Sequence, residues 1–299
     1  MNSIEAVRQE FNDIVSPNTP IETIAEGLVF TEGPVWDARR KRLLFSDIPA
    51  DTNYAWSQAE GLKPFRHPAG FPNGMTFNRQ GDLLTCEHQT RAVTLTKEGG
   101  KPQVVASHFN GKKLNSPNDI IAASDGSILF TDPIYGLREG NGGPAEAELD
   151  FQGVYRLPPG GGELELVTDS FERPNGLALS RDEKQLYIID TVRQHIRVFQ
   201  IGENWELSGG CIWVELWDDD KVGRPDGMKF DQYGNLFSTG PGGVWVFNPQ
   251  GDLLGRISLP DKTSNLNWGD DNLQALYITC STTVYRVRCQ TGGWPLVEA

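Results

Sequence analysis

Apolar and polar residues alternate in short bursts along this chain, and one compound pattern returns six times. An oxygen-bearing side chain is followed by alternating apolar and small residues, a polar turn and a second apolar run. The copies start at Glu32 (EGPVWDARRKRLLFSD), Asn73 (NGMTFNRQGDLLTCE), Asn118 (NDIIAASDGSILFTD), Asn175 (NGLALSRDEKQLYIID), Asp226 (DGMKFDQYGNLFSTG) and Asn265 (NLNWGDDNLQALYITC). From each starting residue to the first Leu or Ile of the second run is 10 or 11 positions, and the copies follow one another at 41, 45, 57, 51 and 39 residues. Each copy reads as a β-hairpin, and further strand-like pieces follow: AVTLT, GVYRL, IRVFQI, GVWVFN and VYRVR. Units of ~40–50 residues with four strands predict the blades of a β-propeller. Six units predict an all-β, six-bladed ring over residues 21–299, with residues 1–20 as an N-terminal extension. The segment IETIAEGLVF, ahead of Glu32, is expected to supply the strand that closes the ring. Only Ile4–Phe11 carries a helix-length amphipathic pattern, which excludes βαβ folds.

Composition narrows the class. With 33 Gly and 19 Pro among 299 residues, turns are frequent; 38% hydrophobic and 10% aromatic residues suffice for a core and exclude a disordered chain. No apolar run approaches the ~18 residues of a membrane span. The charged start MNSIEAVRQEFNDIV lacks a secretory signal's apolar stretch, so a cytoplasmic protein is expected. Lys+Arg 27 against Asp+Glu 40 gives −13 with no basic stripe, which argues against nucleic acid. Cys86, Cys211, Cys280 and Cys289 form neither a CxxC pair nor a zinc-like cluster and are expected to be reduced and mostly buried.

Approximate rotation of six blades about one axis turns the six starting residues into a ring. Every member (Glu32, Asn73, Asn118, Asn175, Asp226 and Asn265) carries a side-chain oxygen. Hard divalent cations take six to eight oxygen ligands, and this set offers neutral amides plus two carboxylates. Asn-Gly is also an ordinary turn pair. Turn chemistry does not explain Glu32, however, nor the retention of Asn118 ahead of Asp119.

The runs EGPVWD, NSPNDIIAASDGSILFTDPIYG, RPNGLALSRDEKQLYIIDT and RPDGMKFDQYGNL resemble those of the SMP-30/gluconolactonase/LRE family, from about residue 20 to 290. The resemblance implies a six-bladed propeller with one divalent cation in its central tunnel. It further implies metal ligands at Glu32, Asn118, Asn175 and Asp226, with Asp226 also the acid/base residue. Asn73 and Asn265 would then line the tunnel and meet substrate or metal-bound water. Oxygen-only ligands make Ca²⁺ the first expectation and admit Mg²⁺, Mn²⁺ and Zn²⁺. Ser116 stands where the animal branch places an Arg, so the chain resembles the bacterial gluconolactonase branch.

The function expected is that of a metal-dependent hydrolase opening small sugar lactones to aldonic acids. The alternatives are organophosphate or phosphotriester hydrolysis on the same ring, and a non-catalytic ligand-binding propeller. A pure scaffold has no need of oxygen side chains at all six tunnel positions. Neither a GxSxG elbow nor HExxH is present. His88, in CEHQTR, reads either as a cavity-facing residue, substrate-binding or basic near neutral pH, or as a satisfied polar partner. Asp132 and Asp190, which end the second runs of units three and four, read as hairpin-stabilising acceptors or as ligands, the former favoured. The acidic insertion Gly136–Gly153 reads as a lid or as a solvated loop. Trp36 and Trp268 are assigned to the core.

Overall fold

The second apolar run of each repeat is a strand buried on both faces. In Leu83–Glu87, Ile128–Asp132, Leu236–Gly240 and Ala275–Cys280 every residue is buried, and in Arg42–Asp47 and Gln185–Asp190 all but the first. A computed structural model describes residues 2–294. There each such run is the second strand of an antiparallel sheet, and six sheets form the blades of a propeller. The blades span residues 31–66, 72–106, 120–168, 174–215, 228–258 and 263–288. Continuous apolar runs result from this stacking, because each blade buries both faces against its neighbours. The outermost strands instead meet water, as in the exposed Gly61–Arg66 and Leu207–Glu215.

The core is accordingly divided into six apolar clusters, one between each pair of neighbouring blades. One joins Leu43, Phe45 and Trp56 of blade one to Tyr277 and Val284 of blade six, across the closure of the ring. Trp36 stacks on Tyr277 at 5.6 Å between ring centroids, and Trp268 meets Phe237 edge-on at 4.9 Å. The cysteines are free; Cys86, Cys280 and Cys289 are buried and Cys211 is exposed.

The ring is closed by the N-terminal segment. Ile21–Ala25 pairs antiparallel with Thr283–Arg288, Glu22 opposite Arg286 in an ion pair. The chain before it also joins the sheets, since Ser3–Ala6 adds a fifth strand to blade five along Leu253–Ser258. The helical pattern of Ile4–Phe11 is not realised. Ile4 lies in that strand, and Phe11 lies in a single 3₁₀ turn, Gln9–Asp13. The open edge of blade five provides a hydrogen-bonded partner that an isolated eight-residue helix lacks. Between Asp132 and Gly153 the chain forms no strand and folds over one end of the tunnel. No helix among the described residues is long and apolar enough to cross a membrane.

Candidate metal centre and active site

Each ring residue sits at or just ahead of the first strand of its blade, held by contacts that recur around the axis. A carboxylate ending the second strand grips the loop that leads in. Asp47 accepts the backbone N–H of Val29 and Phe30 (2.9 and 3.0 Å), Asp132 that of Asn115 (2.7 Å), and Asp190 those of Glu172 and Arg173 (2.8 and 3.2 Å). These amides lie three or two residues before Glu32, Asn118 and Asn175, so the acids fix the angle at which the ring residues enter. The residue after each ring position packs on the next blade. A Cβ on Gly33 would stand 2.1 Å from the Asn73 carbonyl oxygen, on Gly74 2.4 Å from that of Asn118, and on Gly176 2.3 Å from that of Asp226. The Gly74 and Gly176 N–H groups donate to those same carbonyls at 2.8 and 2.7 Å. The glycines of the repeats therefore permit blade-to-blade approach at the tunnel wall; they are not hairpin turn residues.

Glu32, Asn73, His88, Asn118, Asn175 and Asp226 converge on one cavity of about 560 Å³. Asn265 stands behind them, its Nδ2 donating to Glu32 Oε2 at 3.1 Å. The same oxygen accepts the Gly33 N–H at 2.7 Å, so Glu32 is oriented by one oxygen and presents the other. Asn175 Nδ2 donates to Thr191 Oγ1 at 3.0 Å, which leaves its carbonyl oxygen for the cavity.

Burial lifts Glu32 from its ordinary 4.5 to about 7, with repulsion from Asp119 adding to it and the bond from Gly33 opposing it. Asp226 is pushed well above the usual carboxylate range by burial, then by Glu32 and Asp119, against a hydrogen bond from Asn175. Neither Glu32 nor Asp226 has an ion-pair partner among the described residues. A buried carboxylate and a half-buried one, mutually repelling and set beside free amide oxygens, fit a divalent cation, which would relieve the repulsion and supply the missing partner. No trio of His, Cys, Asp or Glu is grouped to hold a metal among the described residues. A cation here would draw on amide oxygens as well as carboxylates, a hard-cation donor set.

His88 is buried with both ring nitrogens engaged. Its Nδ1–H donates to the Asn141 carbonyl at 2.8 Å, and its Nε2 accepts from Asn73 Nδ2 at 3.2 Å. Burial pulls the imidazole down to about 4, so it is neutral at pH 7. The bond turns the Asn73 amide, whose Oδ1 is buried without a partner among the described residues. The insertion holds this arrangement closely: a Cβ on Gly136 would lie 2.5 Å from His88 Cγ, and one on Gly142 2.8 Å from His88 Cβ. Ser116 Oγ accepts the Gly136 N–H at 2.8 Å, tying the insertion to the loop that carries Asn118.

Residues 30–282 match the profile of the SMP-30/Gluconolactonase/LRE-like region. The chain belongs to the SMP-30/gluconolactonase/LRE family. Its relatives include a gluconolactonase of Zymomonas mobilis, 36% identical over 302 residues that cover 94% of this chain and 84% of that one. Among solved structures, a Xanthomonas campestris gluconolactonase superposes with a TM-score of 0.89 at 32% identity, covering 96% of this chain and 94% of that one. A calcium-binding regucalcin of Agrobacterium tumefaciens shares the fold, with a TM-score of 0.76 at 14% identity over 92% and 96% of the two chains.

Within this family fold, five of the six ring residues and His88 face the cavity, while Asn265 acts from behind Glu32. Asp119, behind the cavity wall, acts on Glu32 and Asp226 by its charge and has no role assigned from the sequence. It takes the wall position that is Gly in four other repeats, and burial raises its carboxyl against the opposing charge of Lys229. The change from Asn-Gly to Asn-Asp in the third repeat is its only signal. Arg138, Arg173, Arg224, Lys262 and Tyr135 also line the cavity. They come from loops of unequal length; of these residues Arg173 and Arg224 share a register, two positions before a ring residue, and the others have none.

Proposed function

We propose that this protein is a lactonase that opens sugar lactones to aldonic acids, with a divalent cation held by Glu32, Asn118, Asn175 and Asp226. The observation that carries the reading is the convergence on one cavity of free amide oxygens and two carboxylates, Glu32 and Asp226, that have no ion-pair partner among the described residues, in a chain whose relatives include a gluconolactonase. When bound, such a cation polarises a carbonyl and stabilises negative charge developing on its oxygen. Asp226 takes a proton from the attacking water as the new C–O bond forms, and returns it to the ring oxygen as the ester bond breaks. Asn73, held by His88, lines the cavity that receives substrate or water. His88 is a positioning residue, since its Nε2 lone pair already accepts from Asn73. Asn265 holds the Glu32 carboxylate in orientation.

The oxygen donors make Ca²⁺ the first ion to test, with Mg²⁺, Mn²⁺ and Zn²⁺ as comparators. The deciding experiment is acid release from glucono-, galactono- and arabinono-lactones, in EDTA and with each metal restored. Metal-dependent turnover of at least one lactone is expected. No turnover with any metal overturns the reading, and a phosphotriester assayed alongside separates lactone chemistry from phosphotriester chemistry on the same ring.

A further inference from the structure

The wall of the cavity is strongly cationic on one side, in a chain whose acids outnumber its bases 40 to 27. Arg138, Arg173, Arg224 and Lys262 line it, and among the described residues its acids are the ring residues Glu32 and Asp226. None of the four cations has an ion pair or a side-chain hydrogen bond among the described residues. Elsewhere Arg66 meets Glu87 at 2.6 Å, Arg156 meets Glu165 at 2.6 Å and Arg256 meets Asp218 at 3.2 Å. The Arg173 guanidinium lies over the Tyr135 ring at 5.0 Å, yet its Nε is buried with no partner among the described residues.

The propeller explains why these side chains meet. Arg173 and Arg224 each precede a ring residue by two positions, like Phe30 in blade one and Thr263 in blade six, and all four line the cavity. That position projects to the tunnel mouth in successive blades. Blade one presents Phe30 and Ile48 there, whereas blades four and five present guanidinium groups. A ligand would thus meet an apolar wall on one side and a cationic wall on the other, above the ring. Neutral polyols need no such charge. Unpaired cations around a low-dielectric cavity concentrate anions, and Arg forks match carboxylate and phosphate oxygens.

We propose that the substrate is a lactone carrying a second, permanently ionised group, a phosphate ester or a carboxylate remote from the scissile ester. Arg173 and Arg224, assisted by Arg138 and Lys262, hold that group. The word lactone rests on the lactonase reading; the anion subsite stands on its own geometry. The test titrates gluconate, gluconate 6-phosphate and glucarate into the full chain by calorimetry, with Ca²⁺ present throughout, at an ionic strength of ~0.05 M and again at ~0.5 M. At low salt the phosphate or the dicarboxylate is expected to bind at least ~10-fold more tightly than gluconate, as a few partly exposed ion pairs allow. Whichever does so names the group, and high salt shrinks the preference.

In Arg173→Gln/Arg224→Gln the preference is expected to fall below ~3-fold, and in Arg173→Lys/Arg224→Lys to survive in part because the charge remains. Melting curves confirm folding, and Arg224→Gln alone, at an exposed position, is the fallback variant. A preference below ~3-fold in the parent, or one unchanged in the double Gln variant, overturns the subsite. Turnover of gluconolactone, measured alongside, tests the lactonase reading by itself. A preserved anion preference without turnover sinks that reading and leaves the subsite standing.

Discussion

Glu32→Gln is expected to stabilise the metal-free protein at neutral pH. The folded chain holds the Glu32 carboxyl at about 7, against 4.5 for the group in water. Below 4.5 the group is protonated in both states and burial carries no charge penalty. Between 4.5 and 7 the unfolded chain sheds its proton first, so stability falls as pH rises; above 7 the loss is complete. A gap of that size corresponds to about 3 kcal/mol. Gln keeps an oxygen able to accept from Gly33 and Asn265, and it removes the charge that also raises Asp226. In EDTA at pH 8 the variant should melt on the order of 5–10 °C above the parent, and at pH 4.5 the two should nearly coincide. Saturating Ca²⁺ should reverse the order, because only the parent offers both carboxylates. Differential scanning calorimetry across these conditions reads all three. A variant no more stable than the parent at pH 8 in EDTA would show that Glu32 is not a stranded charge. An equal Ca²⁺ gain in both proteins would remove it from the cation site.

Other expectations concern the ring and its support. Ca²⁺ should raise the parent's melting temperature over EDTA, since a ligand that binds the folded ring and not the unfolded chain stabilises it; identical melting curves argue against a tunnel cation. Asp226→Asn keeps an oxygen in place but cannot move a proton, so turnover should fall by ~100-fold or more with metal still bound. Saturating metal should not restore it, and near-normal kcat would remove the acid/base role. Gly136→Ala drives a methyl into His88 at 2.5 Å. It should cost about 1–3 kcal/mol of stability and depress lactone turnover by releasing Asn73, and unchanged kinetics would show that the insertion does not support the site.

The ring is legible in the sequence because a tunnel lined once per blade forces one side-chain position into a fixed count from an apolar run. Glu32 and Asn118 can be recognised by that count even where their neighbours depart from Asn-Gly. The neighbours themselves are harder to read. Gly33, Gly74 and Gly176 look like turn residues in one dimension, and only the adjacent blade shows that a carbonyl lies where Cβ would be. Asp119 breaks the glycine pattern visibly, but its burial depends on the blade beside it. The strand Ser3–Ala6 is masked by a helical periodicity that a waiting sheet edge overrides. The insertion has no periodicity at all, so its grip on His88 through Asn141 and Gly136 leaves no trace in the chain. Arg173 and Arg224 share a register only once the ring residues are aligned, and in sequence the cations of the mouth look like scattered surface charges.

The seam between Ile21–Ala25 and the last strand, Thr283–Arg288, makes the order of synthesis matter. Glu22 and Arg286, which face one another across it, are 264 residues apart, and the Asn265–Glu32 hydrogen bond spans 233. At ~5–20 residues per second, a ribosome leaves Ile21–Ala25 without its partner for roughly 10–50 s. For that interval the nascent chain exposes an unpaired strand edge, and Glu32 lacks the amide that orients it. The tunnel therefore comes into being at once, when the final blade arrives. A chain cut short before Thr283 should lack the whole centre, and not merely one-sixth of it.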